Sequence, residues 1–135
     1  MNALSLRNLR VDLGGRRVVD GVDLAVAPGE CVAIVGESGA GKSLTARALL
    51  GLNPAGALVR VDELTVDGVD ARTLDDRGWR ALRGTRIALV AQDALVSLDP
   101  LRRIGAEVAE PLAIHDRMPR AARTARVAEL LARVA

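Results

Sequence analysis

The stretch VGESGAGKSLTARALLGL, residues 35–52, restricts the fold of this chain more than any other segment. A solid apolar run from Cys31 to Val35 enters it, and leucines and alanines on helical spacing leave it, so a glycine-rich turn joins a strand covered on both faces to a helix. Within the turn, Gly36, Gly41, Lys42 and Ser43 stand at the spacing G-x-x-x-x-G-K-[ST]. Consecutive backbone N–H groups from Ser38 to Ser43 turn inward as an anion nest only where glycines supply the unusual dihedrals. The helix that follows aims its positive end at the same place. The expectation is a phosphate cradle made by Gly36, Glu37, Ser38, Gly39, Ala40, Gly41, Lys42 and Ser43, with the Ser43 hydroxyl on a Mg²⁺ that bridges phosphate oxygens.

Lys42 is the one lysine among 19 lysines and arginines. A compact three-donor ammonium fits among β- and γ-phosphate oxygens, where the wider planar fork of arginine fills the space badly. A composition that has turned to arginine everywhere else stops at the position where geometry opposes it.

With 17 acids the net charge is only +2, which argues against a nucleic-acid surface. Half the residues are apolar, enough for one core, yet Trp79 is the only aromatic. The single cysteine, Cys31, forms no internal disulfide and reads as a buried small hydrophobe. No stretch approaches the ~20 apolar residues of a membrane-spanning helix, and the N-terminus lacks the apolar run of a secretion signal, so the chain is expected neither to be secreted nor to cross a membrane.

Elsewhere the pattern predicts an N-terminal antiparallel hairpin from Leu4–Leu13 and Val18–Val26 around Gly14-Gly15, the first strand having one offset in its alternation. A helix over 44–52 is closed by Gly51 to Pro54. Val59–Val66 reads as a strand ended by Asp67-Gly68, Leu74, Trp79 and Leu82 as a short helix, and Ile87–Val90 as a second covered strand. Gln92 to Pro100 is a polar loop in which Asp99 and Pro100 read as N-cap and first residue of a helix. Ile104, Val108 and Leu112 lie on the next helix, with Pro111 bending or ending it. A last helix from Pro119 carries Val127, Leu130, Leu131 and Val134 on one side and Arg120, Arg123 and Arg126 elsewhere, as a solvated face.

The segments VVDGVDLAVAPGE and GESGAGKS, and Gln92-Asp93 followed by Ser97-Leu98-Asp99-Pro100, resemble the ATP-binding subunits of ABC transporters, within them the oligopeptide, dipeptide and nickel importer branch. The resemblance extends over nearly all of 3–134. It implies an α/β P-loop NTPase core with the antiparallel hairpin over 1–100, the beginning of a helical subdomain over 101–135, and ATP with Mg²⁺ as ligands. It makes Lys42 and Gln92 catalytic, Gln92 with Ser43 a metal-shell residue, and Leu13 the residue at the adenine position, where the family usually has an aromatic. Partners would be the membrane subunits, met through the loop after Gln92, and a second ATP-binding subunit, at the inner face of the cell membrane. The function implied is coupling of ATP binding and hydrolysis to uptake of peptides or related solutes.

Residues 1–135 contain no LSGGQ-type signature, Walker B strand or switch histidine. His115 reads as a surface residue, and Glu107 and Glu110 lie on the wrong segment to serve as the missing acids. The family's strand order would then leave a gap between the two covered strands and an incomplete sheet. The expectation is a fragment that binds nucleotide without turning it over. A non-hydrolytic remnant and a soluble ABC-type ATPase are the alternatives.

Overall fold

A computed structural model describes residues 2–90 and 98–134. The chain divides into two compact units, Met1–Ala88 and Leu89–Ala135.

The first unit is built on β1 (Leu4–Leu13) and β2 (Arg16–Val26), an antiparallel hairpin turned at Gly14-Gly15. The offset in the β1 alternation is a bulge. Asn8 takes φ 51°, the pairing with β2 shifts between Leu6 and Leu9, and the two-residue period resumes at Val11. Leu6, Leu9 and Val11 therefore all face inward and are fully buried.

The expected strand Val59–Val66 is two strands, β3 (Leu58–Arg60) and β4 (Glu63–Val66), because both pair with β1 and the bulge lies between them. Asp62 at the break donates its N–H to the Arg7 carbonyl, and its carboxylate accepts from Asn8 Nδ2 at 2.8 Å. A short β5 (Val69–Asp70) completes an antiparallel sheet in the order β2-β1-β4-β5, with β3 beside β1. Helix α1 (Lys42–Ala48) and helix α2 (Asp76–Leu82) complete the unit. Ala48 and Leu82 join Leu6, Leu9, Val11, Val19, Leu64, Val66 and Ala71 in one core, with Trp79 partly buried against it. Asp75 caps α2 by accepting from Gly78 N at 2.8 Å.

Three sequence expectations are corrected here. Cys31–Val35 and Ile87–Val90 are not strands: the one bridge at either, among the described residues, joins Ile87 to Arg83. A strand exists only through the backbone of a neighbour, and apolar content alone does not supply one. Cys31, expected inside, is exposed for the same reason. The sheet is antiparallel and not closed, and the expected gap between two covered strands does not arise because neither segment is a strand.

The second unit holds α3 (Ile104–His115) and α4 (Arg120–Ala132), packed on each other with Val127 buried. Pro111 does not end α3, which continues for another turn. Asp99 is not its N-cap either. Its Oδ1 accepts from Leu101 N at 2.9 Å in a local turn, and the helix begins after Arg103. His115 is half-buried. Of the arginine row on α4, Arg126 pairs with Glu129 and Arg123 donates to the Met118 carbonyl. Among the described residues no helix is long and apolar enough to cross a membrane.

Candidate functional site

The loop over 36–41 follows segment 31–35, which has no regular secondary structure, and enters α1. Gly41 is the N-cap of that helix, at φ 88° and ψ 2°. A β-carbon there would lie 2.9 Å from Val19 Cγ2 and 3.0 Å from the Val18 carbonyl oxygen. Glycine is required twice over, for the left-handed backbone and for the close approach to β2. The hairpin thus presses directly on the loop and fixes where α1 begins. Ala40 donates its N–H to the Glu37 carbonyl at 3.2 Å, which closes a turn, and Thr45 N donates to the Gly41 carbonyl at 2.8 Å, the first helical bond.

Lys42 folds back across this loop. Its ammonium donates to the carbonyl oxygens of Gly36 at 2.7 Å and Glu37 at 2.6 Å. Both partners are neutral dipoles, so the charge is oriented without being neutralised. No side chain caps the start of α1 and no acid sits in its first turn. Its positive end is accordingly open to an anion. Ser43, in that first turn, is exposed, while Thr45 two positions further on is buried. A cleft of 430 Å³ opens beside the loop, lined by Val22 to Leu24 of β2, by Val32 to Val35, and by Ala40, Lys42 and Thr45.

The structure thus brings together Gly36, Glu37, Ser38, Gly39, Ala40, Gly41, Lys42 and Ser43 in one continuous segment. Leu13 lies at the end of β1, paired in register with Arg16 at the hairpin turn. Gln92 lies outside the described residues. Glu107 and Glu110 are engaged within the second unit: Glu107 Oε1 accepts from Asp99 N at 2.8 Å, and Glu110 pairs with Arg102 at 2.7 Å. No group of three or more histidines, cysteines or acids able to hold a metal occurs among the described residues.

The sequence reading missed what holds the far end of α1. The helix stops at Gly51, φ 62°, where Leu52 N donates to the Arg47 carbonyl and Gly51 N to the Ala48 carbonyl, the paired bonds of a Schellman stop. The carbonyls of Leu50 and Gly51 accept from Arg83 Nε at 2.8 Å and Nη2 at 3.0 Å. The one signal in the sequence was the solitary Trp79, one turn before Arg83 on α2.

Comparison with known proteins gives the same direction. The ABC transporter family model matches residues 19–135. The dipeptide transport ATP-binding protein DppD of Lactococcus lactis is 38% identical over 97% of this chain and 39% of its own length. The peptidoglycan transport ATP-binding protein YejF of Agrobacterium fabrum is 40% identical over 97% of this chain and 25% of its own. DppD of Escherichia coli is 33% identical over 99% of this chain and 42% of its own. The chain spans about two-fifths or less of each of these relatives. With the matched segment running from within β2 through the 36–43 loop and both helices of the second unit, the chain belongs to the ABC transporter family.

Proposed function

We propose that residues 36–43 bind the phosphates of Mg·ATP, and that the chain serves in an ATP-binding subunit of an ABC importer of peptides or related solutes. The observation that carries this is the seating of Lys42: an ammonium held over a glycine turn by two carbonyls, at the uncapped positive end of a helix. The loop amides and α1 bind the phosphate oxygens, Lys42 balances their charge, and the exposed Ser43 hydroxyl joins the metal shell. A metal ion held there would supply charge neutralisation to the bound phosphates. The relatives are named as transport ATP-binding proteins, two of them for dipeptides, which supports the solute class.

Gln92 belongs to the same proposal as a metal-shell and water-positioning residue, with the loop after it meeting the membrane subunits. A second ATP-binding subunit completes the site, and the assembly works at the inner face of the membrane. The 135-residue chain by itself binds nucleotide without turning it over, since Glu107 and Glu110 are committed to contacts on and beside α3. Titration calorimetry with Mg·ATP tests the reading. Saturable uptake by the wild-type chain, abolished in Lys42→Ala and strongly weakened in Lys42→Arg, is expected; uptake unchanged by Lys42→Ala would overturn it.

A further inference from the structure

Helix α1 is gripped at both ends. At its start, β2 presses on Gly41; at its end, the face of the Trp79 indole covers Gly51, whose β-carbon would lie 2.5 Å from Trp79 Cε2 and 2.6 Å from Cδ2. Arg83, four residues on from Trp79, is the extended C-cap residue just past the end of α2. Its guanidinium is 5.7 Å from the Trp79 ring centroid and donates to the two terminal carbonyls of the α1 stop. One side chain thus satisfies two orphan acceptors, places a cation at the negative end of the helix, and stacks on the aromatic that walls Gly51. Trp79 and Leu82 tie the same element into the sheet core.

We propose that Trp79 and Arg83 are positioning residues for the phosphate loop. They clamp the far end of the helix whose first turn carries Lys42 and Ser43, so that occupancy of the loop is felt at the indole. The proposal rests on nucleotide binding at 36–43. A short helix of two turns transmits a shift along its axis as a unit, because its backbone hydrogen bonds resist stretching far more than its end contacts resist sliding. Neither residue touches the phosphates: nine residues of helix and cap at ~1.5 Å rise separate Lys42 from Gly51 by about 13 Å. Phosphate contact alone therefore cannot perturb the indole directly.

Trp79 is the only tryptophan and, with no tyrosine present, the only strong fluorophore, so the wild-type chain reports on its own clamp. The experiment titrates the 135-residue chain with Mg·ATP, following Trp79 emission and calorimetry in parallel. Magnesium triphosphate, which has no base to quench the indole, is the second probe. Emission is expected to change saturably with both, on the same concentration scale as the heat. Arg83→Met, which keeps the stem over the indole and deletes the donors, is expected to weaken Mg·ATP about fivefold, the worth of a typical lost hydrogen bond, with unchanged far-ultraviolet dichroism. Arg83→Lys is expected to recover part of the loss.

Wild-type affinity in Arg83→Met, or an indole signal that stays flat at saturation with both probes, would overturn the clamp while leaving nucleotide binding intact. Absence of binding by the wild-type chain, or full binding by Lys42→Ala, would overturn the nucleotide reading and the clamp with it.

Discussion

Gly51 lies flat against Trp79, with a φ of 62° and no room for a single added carbon. Gly51→Ala therefore meets two penalties, a left-handed backbone and a clash with a ring that is itself packed on the core. A loss of about 2–4 kcal/mol of unfolding free energy is expected. The double variant Gly51→Ala with Trp79→Leu should recover more than a kilocalorie of it, since only the clash is relieved. Urea unfolding of the four chains closes the cycle, and strictly additive losses would show that the two residues do not meet.

The bulge at Asn8 yields a second expectation. Its N–H donates to Asp23 Oδ1 at 2.6 Å and its side-chain amide to Asp62 Oδ2 at 2.8 Å, while its backbone stays at φ 51°. Asn8→Ala keeps the unfavourable backbone and loses the Asp62 bond, at a cost of about 1–2 kcal/mol. Asn8→Gly loses the same bond and relieves the backbone, and should cost less. Thermal unfolding of both variants ranks them; the reverse order would contradict the bulge.

How much of this was legible beforehand depends on where each signal resides. The loop at 36–43, the hairpin and the Gly51 stop are local, because their residues bond within a few positions of one another, and the pattern of residue types contains that physics. The offset in β1 was visible as an irregular period, but its effect on β3 and β4 was not, since it is imposed by a strand fifty residues away. Cys31–Val35 and Ile87–Val90 read as strands from apolar content, and content does not reveal whether a neighbour's backbone is there to pair. Asp99 was read as a helix cap because Asp-Pro suits one; the bond it makes is two residues long and belongs to a turn. The Arg83 contacts to Leu50 and Gly51 span more than thirty positions, and no spacing rule reaches that far.

Acid stability contains a specific contribution from Asp70. Arg72 donates to its carboxylate from Nε and Nη2 and also from its backbone N, and these bonds hold the carboxyl well below its usual 3.8, at about 2. The pKa is depressed in the folded state, so the stabilisation is fully present above about pH 4 and is lost as pH falls from there to about 2. Asp70→Asn should destabilise the chain at pH 7 and flatten its stability between pH 4 and pH 2. Carboxyl-carbon resonances against pH give the direct check, and an Asp70 midpoint near 4 would refute the pairing.

The apolar segments that join no strand among the described residues carry a solubility expectation. Val35 is 87% exposed and Val90 is 96% exposed, each beside another half-open aliphatic residue, Ile34 or Leu89. Clustered, exposed aliphatic side chains are a template for association. The 135-residue chain is expected to self-associate as its concentration rises. Val35→Thr with Val90→Thr keeps the β-branched shape, lowers the apolar area, and should move the distribution toward monomer in sedimentation velocity. An unchanged distribution would place the association elsewhere.

Base recognition follows from where the aromatics are. Leu13 closes β1 opposite Arg16, there is no phenylalanine or tyrosine, and Trp79 is committed between Gly51 and Arg83. An aliphatic side chain at Leu13 offers contact area without the face-to-face stacking that is worth ~1–3 kcal/mol per base. Under the proposed function, with Leu13 at the base, phosphate and metal contacts would supply most of the affinity, and those are identical in ATP and GTP. The two nucleotides are expected to bind within about tenfold of each other, since stacking on that scale is what discrimination would have to draw on. Leu13→Tyr should tighten both by adding the ring. Competition calorimetry in magnesium buffer reads the ratio, and an ATP preference well beyond tenfold in the wild-type chain would mean that some group other than Leu13 reads the purine edge.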